Sequence, residues 1–286
     1  MATMIELIKE LRATTGAGMM DCKRALEATN MDLDLAKDWL REKGITTAEK
    51  KQARIAAEGL TTALVGKNET VILEINCETD FVARGETFIQ IVEDSAKLLL
   101  KHLPKTHEEA DALIQPLFNE ATLKIGEKLS FRRFEIIKAS AENVFAYKHM
   151  GGKITSVVVL EKTDQELARG LAMHIAANNP SYIKKDDIPQ SEFEKETRIQ
   201  TEAAKNDEEL AKKPANILEK IVAGRVSKTF NDNTLSEQVY LLDGEKKVGV
   251  VLKELGNTVT CFVRYQCGEG LEKRKDDFAE EVMGAI

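Results

Sequence analysis

Apolar positions recur along this chain with two different periods, and the change of period divides it. Met4, Ile5, Ile8 and Leu11 fall on one face of a helix with about 3.6 residues per turn. The run Thr14-Thr15-Gly16-Ala17-Gly18 ends that helix. Met20, Cys22, Ala25 and Leu26 open a second, which closes near Asn30. Asp32 or Asp34 can cap a third, with Ala36, Trp39 and Leu40 turned inward. Three helices with short turns predict a compact bundle within residues 1–55, and residues 46–58, rich in Ala and Lys, read as a helical connector.

From Gly59 the period falls to two. Residues 59–65, a Gly66-Lys67-Asn68 turn and residues 70–77 predict a β-hairpin. Thr79 or Asp80 can then cap one long helix running to about His102. A further helix covers about 107–128, and a third strand 131–139. The pattern then recurs: residues 143–149, a Gly151-Gly152 turn and residues 154–161 predict a second hairpin, and Lys162-Thr163-Asp164 opens the next helix. With one inserted residue, Thr79-Asp80 leading to Ala83-Arg84-Gly85 matches Thr163-Asp164 leading to Ala168-Arg169-Gly170, which reads as a diverged internal duplication. Residues 191–213 are charged and helical until Pro214 breaks the run, since proline cannot continue a helix. Ile217, Leu218, Ile221, Val222 and Val226 then form an apolar stripe, so 191–230 predicts a partly projecting helical hairpin. Strands are expected at 238–242, 246–252 and 258–266, and a last helix from Asp276 or Asp277. The fold class is α+β with antiparallel sheets.

Composition narrows the function classes. Lys and Arg number 41 against 48 Asp and Glu, a net charge of −7, where a dedicated nucleic-acid binder shows a basic surplus. The surplus acid is unevenly spread, because residues 1–55 hold ten basic and nine acidic side chains. Apolar residues make up 43%, enough for a real core. No apolar run approaches the roughly 20 residues of a membrane span. The first residues carry charges at helical spacing in place of an apolar leader, and Cys22, Cys77, Cys261 and Cys267 form no CxxC pair. Together these predict a cytoplasmic, reducing setting without disulfides or a structural zinc site.

Catalytic signatures are thin. The four histidines, His102, His107, His149 and His174, lie in no nucleophile or metalloprotease pattern, and there is no phosphate-binding GxxxxGK[ST] loop. No cofactor and no metal site are expected. Two other features stand out. Met19-Met20 serves either core packing or an adaptable apolar contact with a partner. In Thr79-Asp80-Phe81-Val82 a carboxylate meets the positive end of a helix, with an aromatic ring beside it. Composition alone favours a Phe81 that staples this turn to the core; the alternative is an exposed wedge of acid and ring.

The segment Thr15 to Leu26 (Thr-Gly-Ala-Gly-Met-Met-Asp-Cys-Lys-Arg-Ala-Leu), followed by Thr79 to Arg84 (Thr-Asp-Phe-Val-Ala-Arg), resembles the bacterial elongation factor Ts family. The resemblance continues through Ala172 to Ala177, Lys220 to Arg225 and Gly268 to Lys273, so it covers essentially the whole chain. It implies a ubiquitin-associated-like helical bundle over 1–55 and a duplicated core with subdomains 56–140 and 141–275. The second subdomain would hold an inserted helical hairpin at about 191–230, and a C-terminal helix would cover 276–286. It implies a guanine nucleotide exchange factor, with no covalent chemistry, that binds the GTPase elongation factor Tu and releases its GDP. Thr79, Asp80, Phe81 and Val82 would displace the partner's magnesium ion. Leu11, Met19 and Met20 would dock the bundle on the GTPase, and Ile125, Gly126 and His149 would add contacts from the core. A dimer and a heterotetramer with the GTPase are both open. The chain departs from the family pattern at Gln238-Val239-Tyr240, which lacks a proline, at Met150, where many members have Gly, and at Val226 and Thr229 in the hairpin.

Two other readings remain open on sequence grounds, while a third, direct RNA binding through local basic residues, is disfavoured by the net charge and the sparse aromatics. A generic interaction adaptor would bind through the bundle without speeding nucleotide release. An enzyme using Asp80 with His149 or His174 would turn over a small substrate alone.

Overall fold

The computed structural model describes residues 3–51, 53–207, 209, 210 and 213–272. The expected helix at 276–286 lies outside them. The chain divides into two compact units. The first holds the described residues of Met1–Lys138, Lys148–Thr155 and Tyr265–Ile286, the second those of Ala139–Tyr147 and Ser156–Arg264.

The first unit opens with α1 (Met4–Thr15), α2 (Met19–Ala28) and α3 (Leu33–Lys51). Thr3 and Glu6 form a reciprocal capping box at the start of α1. The inward face is Met4, Leu7, Ile8 and Leu11, at i, i+3, i+4 and i+7; Ile5, expected inside, is exposed because it lies off that stripe. Leu7, Leu11, Ala17, Cys22, Ala25, Leu26, Ala36 and Leu40 make the bundle core. Helix α3 runs on to Lys51 through much of the stretch read as a connector.

Strands β1 (Glu58–Val65) and β2 (Glu69–Cys77) form the first hairpin. Then come α4 (Asp80–Ala83), α5 (Glu86–His102), α6 (His107–Ile125) and β3 (Ser130–Lys138). The sheet has the order β1-β2-β3 and is antiparallel throughout. One register shift at Glu74/Ile75 leaves Arg132 as an extra residue, and both Arg132 (2.9 Å) and Arg133 (2.7 Å) reach the buried Glu74 carboxylate. Helices α5 and α6 cover the sheet with Phe88, Leu99, Ile114 and Phe118. The single long helix expected from Thr79 to His102 is two, because Gly85 leaves helical geometry (ψ 138) to cap α5.

The second unit carries most of a sheet of order β4-β5-β6, with β4 (Val144–His149), β5 (Ile154–Leu160) and, at the far end of the sequence, β6 (Val259–Gln266). Between them lie α7 (Gln165–Asn178), α8 (Gln190–Lys205), α9 (Ala215–Asp232) and α10 (Val248–Glu254). Helix α7 packs its Leu167, Leu171 and Ile175 into the unit's core. Helices α8 and α9 pack through Ala204, Val222, Val226 and Phe230, with Leu218 partly buried against them; Ile217, expected on the apolar stripe, is exposed. Two expected strands are absent: 238–242 makes only a single bridge, Val239 to Lys247, and 246–252 is largely α10. The β-branched run there suggested a strand, but Val248 and Leu252, four apart, are the residues that bury, which is helical spacing.

Candidate partner-binding site

Helix α4 is one turn long, too short to hold itself together in water. Its stability comes from its surroundings. The Thr79 hydroxyl accepts the Val82 N–H (3.3 Å), capping the start. Arg84 N–H donates to Asp80 O (3.1 Å), and Gly85 N–H to Val82 O (2.9 Å), closing the end. Ala83 is buried and Val82 half-buried against the core of the first sheet. Successive helical residues are about 100° apart, so with Val82 and Ala83 turned inward the ring before them faces out. Phe81 is 85% exposed. The expectation that it staples the turn to the core is thereby overturned. Beside it, Asp80 pairs with Arg84 (2.9 Å), both side chains open to water. An exposed pair of this kind contributes about 0–1 kcal/mol, so Asp80 can change partners at little cost.

Two carboxylates clasp the segment from below. Glu127 accepts from Glu78 N–H (3.1 Å), Thr79 N–H (3.0 Å) and the Thr79 hydroxyl (2.6 Å). In return Glu78 accepts from Lys128 N–H (2.7 Å) and from the Arg54 guanidinium (3.2 Å). The exchange ties the α4 start to the chain just beyond α6. Cys77 beneath it donates its thiol to Thr79 O (3.2 Å), and burial, followed by the nearby Glu127 charge, pushes that thiol up to about 12. Cys77 is therefore packing, with no nucleophilic role at neutral pH.

The clasp also gathers two other expected residues. Ile125 ends α6, half-buried against the same core. Gly126 follows in left-handed geometry (φ 78), which ends the helix, and its carbonyl accepts from the Lys51 ammonium of α3. Leu123, one turn earlier on α6, packs into the bundle core. The last turn of α6 thus touches both the bundle and the clasp.

On the bundle, Met19 and Met20 start α2 and are 58% and 60% exposed, so core packing does not account for them. Asp21 next to them pairs with Lys43 of α3 and with Arg24 (3.2 Å), fixing that helix end. Leu11, expected as a contact, is fully buried and supports the bundle from within. His149 ends β4, exposed, ahead of Met150, also exposed and at φ 49. The clasp includes neither His149 nor the two methionines. Sequence reasoning missed Glu78 and Glu127. The only signal at Glu127 was an acid directly after a helix-ending glycine, which many surface turns share.

No cluster of three or more His, Cys, Asp or Glu that could hold a metal occurs among the described residues. Among the described residues no helix is long and apolar enough to cross a membrane. A groove of about 620 Å³ between α8 and α9 is lined by Phe193, Leu218, Val222, Val226 and Phe230, an apolar surface and not a reaction centre. Compared with known families, residues 78–269, about two-thirds of the 286-residue chain, match the sequence model described as Elongation factor TS.

Proposed function

Because the chain belongs to the elongation factor Ts family, and so is a nucleotide exchange factor for elongation factor Tu, we propose that α4 is the part that loosens the bound nucleotide. The observation that carries this reading is Phe81, a large apolar ring 85% exposed beside a carboxylate on a helix turn tied down from both sides. Keeping such a ring in water is unfavourable unless a partner covers it.

The energetics set what α4 must supply. A GTPase that holds GDP at nanomolar strength gains about 12 kcal/mol from it. Exchange factor and nucleotide weaken each other equally in the ternary complex, so loosening GDP a thousandfold needs a coupling of about 4 kcal/mol. Burying a phenylalanine ring in a partner pocket yields about 1.5–3 kcal/mol. Phe81 therefore supplies a large share of that coupling, but not all of it. Asp80, released from Arg84, is placed to disturb the partner's magnesium shell, which otherwise offsets the phosphate charge. Thr79 and Val82 fix the turn, one as cap and the other by packing. Met19 and Met20 supply docking affinity from a ubiquitin-associated-like bundle, with Leu11 holding it together. Ile125, Gly126 and His149 add contacts from the core. None of this involves a covalent step.

The proposed core is a duplication, supported by two three-stranded sheets whose hairpins each lead into a capped helix. The proposed setting is the bacterial cytoplasm. The test is the release of fluorescent GDP from elongation factor Tu: Phe81→Ala should lower the stimulated rate, by about tenfold or more. A variant rate near wild type would remove α4 from the mechanism.

A further inference from the structure

We propose that Glu127 is the positioning residue of the exchange wedge: its carboxylate sets the pose in which α4 presents Asp80 and Phe81. The proposal rests on the reading of α4 as the wedge, and goes beyond it by assigning what holds a one-turn helix ready.

The geometry is specific. One carboxylate takes three donors from two consecutive residues, the N–H groups of Glu78 and Thr79 and the hydroxyl of Thr79. That hydroxyl also accepts the Val82 N–H, so Glu127 fixes the orientation of the atom that caps α4. With its hydrogen committed to Glu127, the hydroxyl keeps a lone pair for Val82. Without Glu127 the hydroxyl is free to rotate, and two backbone N–H groups at the start of the turn lose their acceptor. The remaining supports are Val82 and Ala83 in the core, the Cys77 thiol on Thr79 O, and the Glu78 bonds to Lys128 and Arg54; none of them replaces the acceptor of the Glu78 and Thr79 N–H groups or fixes the hydrogen of the Thr79 hydroxyl.

The position of Glu127 has a second consequence. It follows Gly126, whose carbonyl is held by Lys51 of the bundle's last helix, and Leu123 before it packs, half-buried, against the bundle core. The contacts with the bundle and the grip on Thr79 therefore lie on one short stretch of chain, 123–127.

Glutamine is the informative replacement. Its amide oxygen can still accept from both N–H groups, and its NH2 can donate to the Thr79 hydroxyl, so the clasp survives in altered form. Alanine removes every bond. The experiment uses the full chain with Glu127→Ala, Glu127→Gln and Phe81→Ala. It reads three quantities: GDP release from elongation factor Tu against factor concentration, melting temperature, and amide hydrogen exchange in the free protein. The amides that count are Val82, Ala83 and Arg84, which do not themselves touch Glu127.

In Glu127→Ala these amides should exchange about tenfold faster, while those of α2 keep their wild-type rates. The saturating release rate should fall about five- to tenfold with the half-saturating concentration within about twofold of wild type. Glu127→Gln should recover most of that rate. Unchanged exchange at Val82, Ala83 and Arg84 would overturn the role of Glu127 and leave the wedge itself standing. Faster exchange with an unchanged release rate would also overturn it; Phe81→Ala then tells whether the pose or the whole wedge is irrelevant. Equal losses in both Glu127 variants, tracking a lower melting temperature, would reduce Glu127 to a structural residue and overturn the proposal.

Discussion

Two hairpins in this molecule each run into a capped helix, and the helices differ in what they do with the first turn. After β2, Thr79 caps α4, which stops after Ala83, and Gly85 starts α5 afresh. After β5, Asp164 caps α7 by accepting the Leu167 N–H (2.9 Å), and α7 runs unbroken to Asn178. The matched glycines part company accordingly. Gly85 stands between two helices, whereas Gly170 sits inside one, where an added Cβ would overlap the Tyr240 hydroxyl. In the first unit Phe81 stands in water ahead of the break; in the second the continuous helix points Leu167 and Leu171 into the core. The residue after the matched aspartate is exposed in both units, Phe81 in one and Gln165 in the other, so what sets the first turn apart is an apolar ring at the exposed position and a helix that stops directly behind it.

The contrast can be broken most strongly at the core end. Leu171→Ala should cost about 2–5 kcal/mol of stability, read from denaturant unfolding, with the release rate per folded molecule unchanged. Gly170→Ala should cost about 1–3 kcal/mol, because the new methyl displaces Tyr240 in a packed interior. A neutral result there would mean that the second helix is not held by that approach. On the docking side, the double variant Met19→Ala, Met20→Ala should raise the half-saturating concentration of factor about tenfold and leave the maximal release rate alone. A collapse of the maximal rate with unchanged affinity would contradict the division of labour between bundle and wedge.

The smallest expected effect is a pH dependence inside α7. His174 is fully buried and accepts Leu241 N–H at Nδ1 (3.2 Å), so Nε2 carries the hydrogen and donates to Gln238 (2.8 Å). Burial lowers its pKa, and the Gln238 hydrogen bond opposes only part of that. The unfolded chain takes up this proton near about pH 6.5 and the folded chain only at lower pH. Stability tied to His174 is therefore complete above about pH 6.5 and declines as the pH falls from there toward the folded value. His174→Gln should flatten that part of the melting profile.

Much of this arrangement was legible in the chain. Gly66-Lys67-Asn68 and Gly151-Gly152 marked both hairpins, and Pro214 marked the start of α9, because turn and breaker chemistry is local. The misreadings came where tertiary packing chose between local options. Ile5 and Leu7 both suit a helix face, and only the packing of the bundle selects Leu7. Val248 to Val251 have strand propensity, yet burial at Val248 and Leu252 made that stretch a helix. The Thr79-Asp80-Phe81-Val82 signal was visible as a helix start, but the break at Gly85 was not, and the exposure of Phe81 follows from the inward turn of Val82 and Ala83, which only the packed core selects. Glu127 was invisible because its partners lie almost 50 residues earlier, and no local pattern announces a bond across that distance.

The central claim is that the turn at Phe81 loosens nucleotide while its counterpart in the second unit does not. It is tested most directly by the maximal rate of GDP release from elongation factor Tu at saturating factor, measured for Phe81→Ala beside Gln165→Ala. Both replace an exposed residue directly after the matched aspartate. The predicted result is a fall of about ten- to a hundredfold for Phe81→Ala, and a rate within about twofold of wild type for Gln165→Ala. Equal rates for the two variants would contradict it.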